Sequence, residues 1–185
     1  MSIVQTRTTT VDLSAGTWNI DPSHSAVEFS VRHLVGKVRG QFKSFSGTID
    51  IGEDALASRV EADIDLASVH TGDEKRDAHL RSPDFFDVEN HPKMSFRSTE
   101  VRADGDAYTV VGDLSLGDVT RSVELDLDFN GIGPDPWGGL RAGFTATTEL
   151  SRKAFGLEWN MALEAGGFMV GDTVKVTLEI EAVLA

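Results

Sequence analysis

Apolar and polar residues alternate with a period of two through most of this chain. Val27, Phe29 and Val31 are interleaved with Glu28, Ser30 and Arg32, and Val60, Ala62, Ile64 and Leu66 with Glu61, Asp63 and Asp65. The pattern is cleanest in Val123, Leu125, Leu127 and Phe129 against Glu124, Asp126 and Asp128. It closes the chain in Val174, Val176, Leu178 and Ile180 against Lys175, Thr177, Glu179 and Glu181. Successive side chains on a strand point to opposite faces, so each run reads as a strand with one buried and one wet side. Shorter alternations surround Trp18 and Ile20, Phe45 to Ile51, Met94 and Phe96, Tyr108 to Leu116, and Leu140 to Leu150. Asp21-Pro22-Ser23-His24, Asp104-Gly105-Asp106 and Gly117-Asp118 supply turns between them. Residues 33–41 carry Gly36 and Gly40 and read as a loop or a single turn, residues 130–139 as a Gly/Pro loop, and residues 151–167 as another loop.

One segment breaks the pattern. Residues 71–87, T-G-D-E-K-R-D-A-H-L-R-S-P-D-F-F-D, read as a short helix. Asp73 and Glu74 stand where acidic residues favour a helix start, and Leu80-Arg81 precede a Ser82-Pro83 stop. The segment is dense in polar residues and delivers Phe85-Phe86 directly after them, as the polar rim of an apolar cavity would. The whole is an all-β chain of about eight or nine strands with one helix. Periodicity leaves a sandwich and a closed barrel both open, and the strictly polar second face of every strand favours a single sheet wrapped around one interior. A barrel of eight strands either fills its interior with side chains or holds one ligand, and the pattern does not choose.

Composition narrows the function classes. In 185 residues, 40% are hydrophobic and 25% charged, which describes a folded globular chain long enough for one sizeable core. The net charge of −13 offers no basic face for nucleic acid and would be repelled overall by an anionic membrane. Cysteine is absent, so thiolate chemistry and disulfides are too. The N-terminus carries neither a basic leader nor an apolar core segment, and no stretch reaches the ~18 apolar residues of a spanning helix, so a cytoplasmic location is expected.

No catalytic or metal motif stands out. The five histidines, His24, His33, His70, His79 and His91, lack H-x-H or H-E-x-x-H spacing, and no G-x-S-x-G occurs. Gly131-Ile132-Gly133-Pro134 lacks the glycine and the helix of a dinucleotide loop. Asp77 and His79, two apart on a helix, point away from each other and make a poor base pair. No catalytic residue, cofactor or metal is therefore expected.

Several motifs together resemble one family. W-N-I-D-P-S-H-S-A-V-E-F-S-V-R-H-L (residues 18–34), G-x-F-x-x-F-x-G (40–47), the helical segment 71–87, H-P-K-M-S-F-R-S-T (91–99), G-D-L-S-L-G-D-V-T-R (112–121) and S-R-K-A-F-G-L (151–157) are similar, in order, to the YceI-like family of lipid-binding proteins. The resemblance implies an eight-stranded antiparallel lipocalin-like barrel with one short helix over residues 17–185, preceded by a polar tail or edge strand over residues 1–16. It implies a long apolar pore that takes a polyisoprenoid, quinone or similar long-chain lipid, and a homodimer; nucleic acid is already excluded as a partner by the charge. Two features depart from it: many relatives carry a secretory leader, and Asp73 stands where relatives often have Asn.

With that resemblance, the pore candidates by parity are Trp18, Val27, Phe29, Val31, Phe45, Ile64, Met94, Phe96 and Phe144, joined by Ile20, Ile49, Val110, Leu125, Leu127, Val176 and Leu178. Phe85 and Phe86 are expected at the pore mouth, and His24, Arg76, Asp77 and His79 at a head-group rim. For the Arg76-Asp77 pair a helix-end ion pair or a clamp onto a neighbouring strand is the competing expectation, and for His24 a hydrogen bond within its turn. Arg152 and Lys153 are further rim cations in this reading. Each buried methylene contributes about 0.8 kcal/mol, so a five-carbon isoprene unit contributes roughly 3–4 kcal/mol without any catalytic group. The expected function is binding, storage or transport of an apolar chain. The alternatives are a packed, structural or stress-linked barrel acting through a protein partner, and a hydrolase or isomerase at the Arg76–His79 rim.

Overall fold

The structure, a computed structural model, describes residues 13–185. Residues 1–12 of the expected tail or edge strand lie outside the described residues. In chain order the strands are β1 (Gly16–Ile20), β2 (Ala26–His33), β3 (Gly36–Phe42), β4 (Phe45–Ile51), β5 (Arg59–Asp65), β6 (Val69–His70), β7 (Lys93–Asp104), β8 (Ala107–Leu116), β9 (Val119–Pro134), β10 (Leu140–Ser151) and β11 (Val170–Leu184), with one helix, α1 (Glu74–Arg81), between β6 and β7. Every pairing is antiparallel, and the sheet closes when Trp18, Asn19 and Ile20 of β1 meet Leu184, Val183 and Ala182 of β11.

Three of the eight barrel strands are each broken in two. β1 continues as β2 beyond a short turn at Pro22–His24, β4 is the continuation of β3, and β6 that of β5 after a turn at Leu66–Ser68. The breaks fall at the same level in neighbouring strands. Asn19 faces Thr48 before the first break, and Val27 faces Phe42 after it. Phe45 faces Ile64 on one side of the next break, and Phe42 faces Val69 on the other. Ser68 holds the crease, its carbonyl accepting from Lys43 N at 3.2 Å and its hydroxyl from Ser44 N at 3.0 Å. The resulting ring is an eight-stranded barrel with one helix.

Two segments read as loops are strand. β3 runs through Gly36 and Gly40, and β9 continues through Gly131 and Gly133 to Pro134. The glycines that argue against structure by propensity are placed there by packing. A Cβ on Gly40 would stand 2.4 Å from the ring of Phe29, its cross-strand partner, and one on Gly112 would stand 2.4 Å from the ring of Phe96. In both places a phenyl ring packs against a bare backbone where a Cβ would overlap it.

α1 begins as its sequence indicates. Asp73 is the N-cap, accepting from Arg76 N at 2.9 Å, and Ser82 is the C-cap. That backbone hydrogen bond lowers the carboxyl pKa of Asp73. An Asn would cap equally well, so the departure at residue 73 is a change of cap and leaves the barrel interior untouched.

The glycine packing gives a stability test. Gly40→Ala and Gly112→Ala should each cost about 1–3 kcal/mol in denaturant unfolding, because the added methyl overlaps a ring. Gly133→Ala, where a Cβ meets nothing within 4 Å, should change little.

Candidate functional site

Closing a sheet of alternating pattern puts one face of every strand into a single interior. That interior contains a cavity of about 260 Å³. Its wall takes Ile20 from β1, Val27 from β2, Phe45, Ile49 and Ile51 from β4, Val60, Ala62 and Ile64 from β5, and Met94, Phe96 and Val101 from β7. The far side is Tyr108, Val110 and Leu114 of β8, Val123, Leu125, Leu127 and Phe129 of β9, Phe144, Ala146, Thr148 and Leu150 of β10, and Val176, Leu178 and Ile180 of β11. Polar groups on the wall are few: the Tyr108, Thr148 and Ser58 hydroxyls and the Glu53 carboxylate.

The two ends of the barrel differ. At one, Gly52, Glu53, Ala55 and Ser58 of the β4–β5 connection reach the wall together with Leu13, and Glu53 and Ala55 are exposed. This is the mouth. At the other end Phe42, Leu66, Val69, Leu116 and Phe155 form a buried plug, with Leu80 and Phe86 packed against it. The Phe86 ring lies 5.7 Å from that of Phe42. The helical segment therefore seals the barrel, and the polar rim expected around it is not at the opening.

Of the pore candidates, Val27, Phe45, Ile64, Met94, Phe96 and Phe144 line the cavity, as do Ile20, Ile49, Val110, Leu125, Leu127, Val176 and Leu178. Trp18 is fully buried instead in a cluster with Ile49, Ala142, Phe144 and Ala182, its indole N–H donating to Ser14 O at 3.0 Å. Phe29 faces inward in the plug, 5.6 Å from Phe42, and Val31 lies between Val38 and Val174 beyond the cavity. Phe85 sits outside, against Trp159 at 5.5 Å and His79 at 5.1 Å. Phe85 and Phe86 thus do not flank the mouth.

The four rim candidates do not converge on the wall. Asp77 is buried, its Oδ1 accepting from the backbone N (2.9 Å) and hydroxyl (2.6 Å) of Thr71. Arg76 grips the same residue through Thr71 Oγ1 at 2.7 Å and Thr71 O at 2.9 Å. The pair is the clamp rather than an ion pair, fixing the start of α1 to the end of β6. His79 bonds Asp84 at 2.8 Å and meets the Trp159 ring edge-on at 4.6 Å. Arg152 is buried as well, donating to the carbonyls of Leu157 (2.7 Å), Trp159 (2.9 Å) and Gly171 (2.8 Å), and burial lowers its pKa. It ties down the 152–169 loop.

His24 belongs to a separate network at the first crease. Arg141 Nη1 donates to Asp21 Oδ2 at 2.8 Å and to Glu181 Oε1 at 2.7 Å, while His24 Nδ1 lies 2.8 Å from the same Asp21 oxygen. Asp21, His24 and Glu181 offer ligand atoms within 4.8 Å of one another. The Arg141 guanidinium already bridges both carboxylates, so the donor set is satisfied by a protein cation and does not fit a metal. Arg141, with smaller contributions from Ser23 and His24, holds the Asp21 carboxyl far below the usual carboxylate range.

The mouth residues Leu13, Glu53 and Ser58 carried no signal in the sequence, since nothing local says which of several polar connections overlies the opening. Val60, Ala62, Phe129 and Ile180 share the parity of named pore positions and were legible by the same rule.

A family model described as a YceI-like domain matches residues 18–182. A UPF0312 protein of Serratia proteamaculans is 38% identical over 164 residues, covering 88% of this chain and 82% of the relative. Among solved structures, Burkholderia cenocepacia BcnA superposes with a TM-score of 0.77 at 22% identity, over 88% of this chain and 98% of that one. A polyisoprenoid binding domain from Saccharophagus degradans superposes with a TM-score of 0.69 at 17% identity, over 91% and 98% of the two chains. At those identities the two structures share the fold.

The Asp21 network predicts an acid response. A carboxyl whose folded pKa is depressed adds stability that is present above its unfolded value, about 4, and lost as pH falls below it. Asp21→Asn should therefore melt at lower temperature than the parent at neutral pH, and the gap should narrow when melting is followed down through pH 4. A gap independent of pH would refute the assignment.

Proposed function

Because the chain belongs to the YceI-like family, we propose that its barrel binds one long-chain apolar lipid, a polyisoprenoid, quinone or similar chain, and stores or carries it without chemical change. The observation that carries this reading is the open, almost wholly apolar cavity of about 260 Å³. An apolar cavity of about 150 Å³ stays dry and takes a benzene ring, so this one takes more. Water gains little from a wall whose hydroxyls are so scattered, and a flexible hydrocarbon gains burial along its length. The polyisoprenoid binding domain from Saccharophagus degradans, which shares the fold, supports the choice of ligand class.

Ligand geometry follows from the two ends. The apolar tail points toward the plugged end, against Ile64, Phe96 and Leu114, which line the cavity and pack on the plug, and the head group lies at the mouth beside Glu53 and Ser58. His24, Arg76, Asp77 and His79 are positioned for the framework in this reading. A non-enzymatic role is supported by the wall itself. Glu53 is its single charged side chain among the described residues, and no histidine, lysine or arginine lines the wall with it. The rival reading, a barrel packed solid that works through a protein partner, requires side chains where the cavity is.

The test is organic extraction and native mass spectrometry of purified protein, with an added polyprenol or quinone as the probe. One lipid per chain is expected. Ala146→Phe, which grows a ring into the cavity from β10, should reduce retention at least about tenfold in protein that still melts cooperatively. Arg76→Ala and His79→Ala should retain lipid as the parent does, at some loss of melting temperature. Protein that purifies empty and refuses the added chain would remove the reading.

A further inference from the structure

At the end of the barrel away from the mouth, the face formed by β2, β3 and β11 departs from the acidic character of the chain, while the α1 segment across the same end exposes Asp73, Glu74, Asp84 and Glu89. β2 and β3 are joined there by Leu34 and Val35, the two residues between the paired His33 and Gly36. Two-residue hairpin connections ordinarily use Asn-Gly or a leading Gly, because positive φ is required. Here Leu34 holds φ at 52°, and both side chains stand in solvent, Val35 completely. Leu34 N donates to Met169 O at 2.8 Å, and Met169 N to Met161 O at 2.9 Å, so the turn and the 152–169 loop form one tip. Met161 and Phe168 are exposed on that loop. Four of the six large apolar side chains exposed among the described residues, Leu34, Val35, Met161 and Phe168, thus share this tip.

Cations gather beside it. On the outward faces of β11, β2 and β3, Lys175 pairs with Ser30, Ser30 with Arg39, and Arg32 with Lys37. A groove of about 300 Å³ runs between Arg32, Lys37, Lys175 and Asp172. Lys153 Nζ stands 5.7 Å over the Phe168 ring. Two of the facing carboxylates are engaged. Glu149 lies 3.4 Å from Lys175, and Asp172 accepts from Ser151 Oγ at 2.7 Å and Lys153 N at 3.0 Å. Glu158 and Glu164 are exposed on the loop, and Glu28 on the outward face of β2 between Gln41 and Thr177.

We propose that this tip docks the protein onto a lipid bilayer carrying anionic head groups. Leu34, Val35 and Phe168 enter the boundary with the acyl chains, and Arg32, Lys37, Arg39 and Lys175 meet head-group phosphates. Protruding apolar side chains beside a basic face are the two components of interfacial binding. With 30 acidic and 17 basic residues, the chain draws no such attraction from its overall charge. Segregation of the cations onto one face supplies it, and the acidic remainder holds the rest of the molecule away. β10 runs from Leu140 at the mouth end to Ser151 at the tip, so the docked protein turns its mouth away from the bilayer. The inference does not depend on what fills the cavity.

Sedimentation of the full chain with sucrose-loaded vesicles tests it, using phosphatidylcholine alone and phosphatidylcholine mixed with phosphatidylglycerol. Partition onto the anionic vesicles should be at least about tenfold greater and should weaken as salt is raised. Val35→Asp with Phe168→Asp, and separately Lys37→Glu with Arg39→Glu, should each lower it at least about tenfold at unchanged melting temperature, since all four side chains are exposed. Parent protein that stays in the supernatant with both vesicles, or variants that bind as the parent does, would overturn the proposal. So would an apolar-tip variant that turns a dimer into a monomer while the parent ignores vesicles, because the tip would then be a contact between two copies.

Discussion

The hydrogen-bonded seam between β1 and β11 is the constraint from which the rest of the molecule follows. Three residues on each side, Trp18 to Ile20 against Ala182 to Leu184, convert an open sheet with two edges into a ring. Once the ring is closed, each strand has one inside face, and a period of two in the sequence becomes a continuous apolar lining. Trp18 stands at that seam, fully buried, with Ala142 and Ala182 leaving room for its indole. Strand edges that would otherwise be free to pair with other chains are consumed in the closure.

A ring of eight strands encloses more space than these side chains fill, and the chain treats the two ends differently. At one end the sheet creases and α1 is drawn across it, giving Phe42, Leu66, Val69 and Phe155 neighbours on all sides. The closed end is held by polar side chains bonded to backbone: Ser68 to Ser44, Asp77 and Arg76 to Thr71, Arg152 to the loop carbonyls. At the other end only a short connection overlies the barrel, and the interior stays open. The abundance of polar side chains in the helical segment is explained by this work of closing an end, where backbone leaves regular pairing and needs other partners.

Charge shows the same division of labour. The outward positions of most strands carry Asp and Glu, while the cations of β2, β3 and β11 are neighbours on one face. A net value of −13 summarises the first and hides the second. A uniform sphere of that charge would be repelled by every anionic surface, whereas the strands of this barrel bring Arg32, Lys37, Arg39 and Lys175 together on one face.

The sequence by itself determined the strands with a clean alternation, the helix with its acidic start at Asp73-Glu74 and its Ser82-Pro83 stop, and the parity that assigns Phe45, Ile64, Phe96 and Leu178 to one face. These are local properties, readable from a residue and its near neighbours. Only the tertiary structure decided that Gly40 lies within a strand, because the Phe29 ring that demands it is eleven positions away and on another strand. Only the tertiary structure decided that Phe86 plugs and Glu53 borders the mouth, because the end to which a connection belongs depends on how many strands precede it and where they break. Inward orientation is written in the period of the chain, whereas depth along the barrel is written in register, and register exists only between strands.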